Sequence, residues 1–250
     1  MTRFFCSILL CVFVISFAAF NVHASIADRV NEISRQVETA SPMPIGAAID
    51  ELETLLVSDT LKVDEKRTVA ALYARYQLLI HQRPNDNILR VLKELEDKSR
   101  DGLIIAAGIA RMYGISADYT EAYKRFDALI STPSLPADIK AYALIYQILT
   151  YSEGQVFAPN AELINTVNDL LITHELSYLR PLYDSIVADY YQSVRAYELA
   201  LRFYEKSLAG AQAANQRILE SDNLYAIGEV ALVVIGILIA LQLNAWKEAI

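Results

Sequence analysis

The chain has 250 residues, a formal net charge of −8 and a hydrophobic content of 54%. These values indicate one or two folded domains with a large core, and an acidic balance without a basic patch argues against nucleic acid as a partner. The two cysteines, Cys6 and Cys11, both lie at the extreme N-terminus, so the remainder of the chain has no thiol nucleophile.

Residues 1–24 have the form of a secretory signal peptide. Arg3 gives a positive start, Phe4–Phe20 is almost wholly apolar, and Val22–Ala24 places small residues where cleavage occurs. We therefore predict export and a mature chain that begins at Ser25. The alternative is that the segment stays uncleaved and serves as a membrane anchor.

Residues 25–220 show a helical period almost throughout, interrupted by short segments rich in proline and polar residues. The pattern predicts an all-α domain and favours no strand. About five helical hairpins are predicted: Ile26–Glu38 with Ile45–Val57, Val63–His81 with Asn87–Lys98, a third pair that contains Ala110–Ile130, Ala137–Tyr151 with Asn160–Thr173, and Leu176–Ser193 with Tyr197–Ala213.

The segments Ala110–Ile130 and Ala188–Leu208 share a pattern of small and aromatic residues at an offset of 78 residues, from position 110 to position 188. In each segment an alanine lets two helices approach closely, and an aromatic residue four positions later lies on the same helix face. The candidate repeat-packing residues are Tyr113, Ala122 and Phe126 in the first segment and Tyr191, Ala200 and Tyr204 in the second.

These positions resemble the tetratricopeptide repeat family, with units of roughly 39 residues where that family has about 34. The resemblance implies a helix-hairpin solenoid, in which each hairpin buries its apolar face against its neighbours. It also implies a concave surface suited to a protein or peptide partner. The alternative from the same pattern is an irregular helical bundle without true repeats.

The tail contains an uninterrupted apolar run, Val230–Leu241. Residues 224–245 are long enough to cross a hydrocarbon core of about 30 Å, which needs about 20 residues, so we predict a transmembrane helix followed by a short tail, 246–250. Tyr225 and Trp246 would lie at its two interfaces. Two alternatives are an apolar helix buried against the last hairpin, and a sixth repeat whose second helix begins at Trp246.

The tail sequence YAIGEVALVVIGILIALQLNAWKE also resembles the membrane segment of an uncharacterised bacterial membrane-protein family, where it stands near the N-terminus. Within it, Gly228, Gly236 and Ala240 share much of one helix face. Small residues at such spacing let membrane helices approach closely, so we predict pairing with a second copy through this face.

No motif for catalysis, metal binding or phosphate binding occurs in the sequence. His81 and His174 lie far apart, each near a helix end, and are interpreted as surface residues. Most of the 15 tyrosines are interpreted as core residues, with Tyr190 and Tyr191 as candidates for lining a groove. We predict no enzymatic activity, no metal and no cofactor.

These patterns together predict a scaffold in a bacterial cell envelope that binds a protein or peptide partner. The signal peptide and the apolar tail place the repeat domain in the periplasm and the tail in the inner membrane. The alternative function is the periplasmic sensory region of a signalling protein of the diguanylate-cyclase type that lacks its output domain. It is suggested because similar repeat regions precede a membrane span and a cytoplasmic output domain.

Overall fold

The computed structural model of the protein describes residues 25–38, 45–79, 85–157 and 160–248. The predicted signal peptide, residues 1–24, lies outside these described residues, and so does His81. The described residues form a short 3-10 helix at Ser177–Leu179, no strand, and eleven α-helices: α1 (Ile26–Glu38), α2 (Ile45–Val57), α3 (Val63–Leu79), α4 (Asp86–Leu95), α5 (Arg100–Ile115), α6 (Tyr119–Ile130), α7 (Ala137–Glu153), α8 (Asn160–Thr173), α9 (Arg180–Ser193), α10 (Tyr197–Ala213) and α11 (Arg217–Glu248).

The helices contact one another in a regular order. Each odd-numbered helix contacts the next odd-numbered helix, from α1 with α3 through to α9 with α11. Each even-numbered helix contacts the odd-numbered helix that follows it in the chain. Small residues permit the closest of these approaches: a side chain at Gly108 of α5 would begin 2.6 Å from the Cβ of Ala74 in α3.

The break between α4 and α5 was not predicted at its observed place, since the sequence pattern extended α4 to Lys98. The backbone becomes extended at Glu96, with φ −66° and ψ 120°. The Asp97 carboxylate then accepts the Ser99 N–H at 2.8 Å, and the Ser99 hydroxyl accepts the Gly102 N–H at 3.1 Å and caps α5. Local side-chain bonds of this kind compete with helix continuation and end α4 at Leu95.

A single type of turn closes five of the helix ends. After α9, the Arg195 N–H donates to the Gln192 carbonyl at 2.9 Å and the Ala196 N–H donates to the Tyr191 carbonyl at 2.8 Å. This pattern of two hydrogen bonds requires one residue with positive φ. In each of the five turns that residue is not glycine: Ala117 (φ 59°), Gln155 (φ 57°), Glu175 (φ 54°), Arg195 (φ 63°) and Asn215 (φ 55°).

A buried chain of polar groups sets the register of the last three helices. Ser207 of α10 donates to the Pro181 carbonyl of α9 at 2.6 Å, and Asn223 of α11 donates to the Ser207 hydroxyl at 2.8 Å. Ser207 and Asn223 are both fully buried. Because an unpaired buried polar group is costly, these bonds strongly favour one register of α11 against α10.

The turn geometry generates a prediction at Ala117. Ala117→Gly should stabilise the fold by about 0.5–1 kcal/mol, because glycine adopts positive φ without the steric cost that alanine bears. The exposed helical residue Ala128 of α6 provides the matched control. Ala128→Gly should destabilise by about 0.5–1 kcal/mol. Denaturant unfolding of both variants measures the difference, and equal signs for the two would contradict this account of the turn.

Candidate functional site

A groove of about 680 Å³ lies between α7, α9 and α11. We call it the α7–α9–α11 groove. Its lining recurs every three or four residues along each of these helices, so each helix presents one face to it. The lining residues are Tyr146, Leu149 and Glu153 of α7, Leu182, Ser185, Ile186, Asp189, Gln192 and Ser193 of α9, Tyr204 of α10, and Leu219, Ser221, Asp222, Tyr225, Ala226 and Glu229 of α11.

The groove is acidic. Four carboxylates line it, Glu153, Asp189, Asp222 and Glu229, and its described lining contains no lysine or arginine. Glu153 is paired with Arg111 of α5, whose guanidinium is fully buried and donates through Nη2 to Glu153 Oε1 at 2.7 Å. Asp222 and Glu229 place further carboxylates along the wall that α11 forms, so the potential of the groove is negative.

Asp189 lines the groove and is held by Tyr204. The Tyr204 hydroxyl donates to Asp189 Oδ1 at 2.5 Å and lies 2.6 Å from the side-chain amide oxygen of Gln192. Burial raises the pKa of the Asp189 carboxyl to about 7, against its ordinary 3.8, although the Tyr204 hydrogen bond acts in the opposite direction. Burial likewise raises the pKa of the Tyr204 hydroxyl well above its ordinary range.

The groove has the features of a binding surface. Its volume is in the range of ligand sites, about 300–1,000 Å³, and it combines apolar and aromatic walls with a few polar groups. Among the described residues, no cluster of three or more histidine, cysteine, aspartate or glutamate side chains is arranged to hold a metal ion. The chemistry available at the surface is hydrogen bonding, aromatic contact and attraction of positive charge.

The predicted repeat-packing residues are distributed between helix contacts and the surface. Ala122 and Phe126 of α6 are fully buried, and Ala200 and Tyr204 of α10 are fully buried in a second cluster with Val230 of α11. Tyr204 also has a role that the repeat pattern did not predict, because its hydroxyl reaches into the groove.

The two tyrosines at equivalent positions are only half-buried. The Tyr113 hydroxyl accepts a bond from Lys93 Nζ at 2.7 Å, and Arg125 lies over its ring at 5.3 Å. Tyr191 stacks on Phe203 with ring centroids 5.4 Å apart, and it contacts Tyr190. Tyr190 and Tyr191, the sequence candidates for groove residues, are not among the residues that line the α7–α9–α11 groove.

Gly228, Gly236 and Ala240 are all exposed. Among the described residues, no atom lies within 4 Å of the point where a side chain would begin at Gly228 or at Gly236. The described part of the chain therefore leaves the predicted pairing face uncovered. His174, a predicted surface residue, is exposed just beyond α8.

The apolar tail is one continuous helix with two different environments. Asn223 and Val230 are fully buried against the domain, with Ala226, Ile227 and Val234 half-buried beside them. Every residue from Ile235 to Trp246 is exposed. The structure thus shows neither an apolar run covered by the last hairpin nor a break that would begin a second helix before residue 248.

Comparison of the chain with protein-family models, with curated proteins and with solved structures finds no match.

The raised pKa of Asp189 generates a prediction about pH. Between pH 3.8 and about 7 the folded protein keeps the Asp189 proton, whereas the unfolded chain has released it. The contribution of Asp189 to stability is therefore full at low pH and is lost as the pH rises through 7. Asp189→Asn should therefore gain stability relative to the wild type over this interval, by roughly 1–3 kcal/mol. Unfolding at a series of pH values measures the gain.

The exposed carboxylate Asp169 of α8 supplies the control, since Asp169→Asn should show no such divergence from the wild type. A stability difference between Asp189→Asn and the wild type that stays constant from pH 4 to pH 8 would contradict the assignment.

Proposed function

We propose that the chain is a membrane-tethered helical-repeat scaffold of a bacterial cell envelope that binds a protein or peptide partner. The observation that carries the proposal is the double role of α11. Its first half supplies Leu219, Asp222, Tyr225 and Glu229 to the groove, and its second half extends beyond the domain as an exposed apolar helix. The binding surface and the tether are thus parts of one element.

The second half of α11 supports the tether. Arg217–Trp246 contains an 18-residue window of mean hydropathy 2.5, of which 6% is buried. Leu232 is 71% exposed and Trp246 is 75% exposed. An apolar surface of this extent is unfavourable in water and is suited to lipid. The inner membrane and the periplasm follow from the signal peptide predicted at residues 1–24.

The order in which the helices contact one another supports the solenoid. In a stack of hairpins the first helices form one row, as α1, α3, α5, α7, α9 and α11 do here. The recurring turns at Ala117, Gln155 and Arg195 are spaced by 38 and 40 residues, from 117 to 155 and from 155 to 195. This spacing agrees with the unit length of roughly 39 residues predicted from the sequence, which is longer than the ~34 residues of the tetratricopeptide family.

The groove supports a peptide-like partner. Its lining comes from faces of α7, α9 and α11, and its tyrosines and carboxylates can contact both apolar and polar parts of an extended chain. The uncovered face with Gly228 and Gly236 in turn supports pairing with a second copy through α11.

The sensory alternative is favoured by one specific observation. The helix that forms one wall of the groove continues without interruption into the apolar segment, from Arg217 to Glu248. A ligand that displaced Asp222 or Tyr225 would move the second half of the same helix. Such coupling is what a receptor requires, because its ligand must bind two positions of a signalling element with different affinity.

The tether is tested by truncation. A chain that ends at Val234 retains the contacts of α11 with α10 but lacks the exposed residues Ile235–Trp246. We expect this chain to fractionate as a soluble protein and the full-length chain to remain with the membrane after carbonate washing. If full-length protein is already soluble, α11 is not a tether. If the truncated chain stays in the membrane, the anchor lies at the N-terminus.

Partner binding is tested by photo-crosslinking in cells. A benzophenone amino acid at Tyr225, which lines the groove and is 70% exposed, should yield a discrete adduct with a partner. The matched control is the same replacement at Tyr178, which is 53% exposed and lies outside the groove. The adduct at Tyr225 should disappear when Asp189→Lys is added, because that change reverses the charge of a residue that lines the groove. Equal adducts from Tyr225 and Tyr178 would contradict a specific groove.

A further inference from the structure

The exposed end of α11 is shorter than a membrane is thick. Residues Ile235–Trp246 rise about 18 Å at about 1.5 Å per residue, whereas a hydrocarbon core measures about 30 Å and needs about 20 residues. Twenty residues counted back from Trp246 begin at Ile227. Because Ile227–Val234 packs against the domain, the shorter exposed end must draw the domain close to the membrane surface.

The register of the hairpin shows which part of the domain lies beside that segment. α10 and α11 are joined by a short turn at Asn215, and Asn223 bonds to Ser207 across the hairpin. Counting an equal number of residues away from the turn along each helix places Val230 opposite Ala200, both fully buried. The same count brings Val233 and Val234 level with Tyr197 and the turn that precedes α10. The turn at residues 194–196 thus stands at the depth where α11 leaves the domain.

Adjacent turns lie at the same end of the domain, because α5, α7 and α9 are all first helices of antiparallel hairpins. Exposed apolar residues occur here, with Val156 of the turn after α7 at 40% exposure and Val194 of the turn after α9 at 39%. Half-buried aromatic rings surround them. Two ring contacts join adjacent hairpins: Tyr123 with Tyr151 at 4.4 Å between centroids, and Phe157 with Tyr190 at 6.5 Å.

We propose that this end of the domain, the turns after α7 and α9 with their aromatic side chains, is seated in the interfacial layer of the bilayer that α11 enters. The inference rests on the proposed tether and adds to it a fixed height and orientation of the domain on lipid. Tyrosine has an apolar ring and a polar tip and is enriched at membrane interfaces. The exposed Arg195 at the tip of the α9 turn is suited to the phosphate of an anionic lipid.

Lipid, rather than a second copy, is the occupant that the geometry favours. The turn that holds Val194 stands at the depth where α11 leaves the domain, and Tyr197 and Val234 pack in the same cluster there. A bilayer covers both the turn and the exposed part of α11, and it thins beside a helix that is shorter than its hydrocarbon core. The groove would then open sideways, with its Glu229 end nearest the membrane.

The test uses fluorescence of the full chain reconstituted in vesicles of phosphatidylcholine and phosphatidylglycerol. Trp246 is the single tryptophan of the sequence, so Trp246→Phe provides a silent background. In that background Val194→Trp should emit at short wavelength and lose fluorescence to lipids brominated near the carbonyl end of their acyl chains. The control is Ile172→Trp, at the far end of α8 and 66% exposed in the wild type, which should emit at long wavelength and show no quenching.

The outcomes separate this inference from the tether on which it rests. Quenching of wild-type Trp246 with no quenching of Val194→Trp would leave the tether in place and overturn the docking. Short-wavelength emission of Val194→Trp without quenching would indicate burial against a second copy and would also overturn it. Failure of the wild-type chain to associate with vesicles at all would refute the tether itself.

Discussion

The contact between α10 and α11 determines the position of the groove wall and of the apolar end of α11. Val230 packs beside Ala200 in a small buried cluster, and the bond from Asn223 to Ser207 fixes the register of the two helices. A helix held in one register along its first half must leave the domain at one residue. The groove wall, the point where the apolar end leaves the domain and the proposed orientation of the domain on a membrane all follow from that register.

The same contact explains why one helix has both polar and apolar surfaces. Along its first half, α11 presents Asp222 and Glu229 to the groove and Ala226 and Val230 to α10. Beyond Val234 no surface of the described domain remains beside it, and from Ile235 to Leu241 its sequence is apolar on all sides, as the proposed span in lipid requires. The acidic groups accordingly stay on the part of the helix that lies against the domain.

Much of the helix pattern could be read from the sequence, and the site could not. The bounds of α1, α2, α8 and α10 agree with the prediction because prolines and polar turn residues interrupt a clear period. The groove depends on three faces brought together from distant segments, so Asp189 and Tyr146 gave no local signal. In the tail, a run that is apolar all around cannot reveal that Val230 faces α10 and Leu232 does not. Only the contact of α11 with α10 shows which residues of the run face the domain.

The division of α11 into a domain half and a lipid half is tested most directly by site-directed spin labelling of the chain in vesicles. With no cysteine beyond Cys11, single cysteines can be placed at successive positions of α11 in a chain that begins at Ser25. We predict that collision rates with oxygen follow a helical period from Arg217 to Val234 and are uniformly high from Ile235 to Leu243. A helical period that continued to Leu243 would place protein beside the whole helix, and no period before Val234 would detach it from the domain; either result would contradict the account.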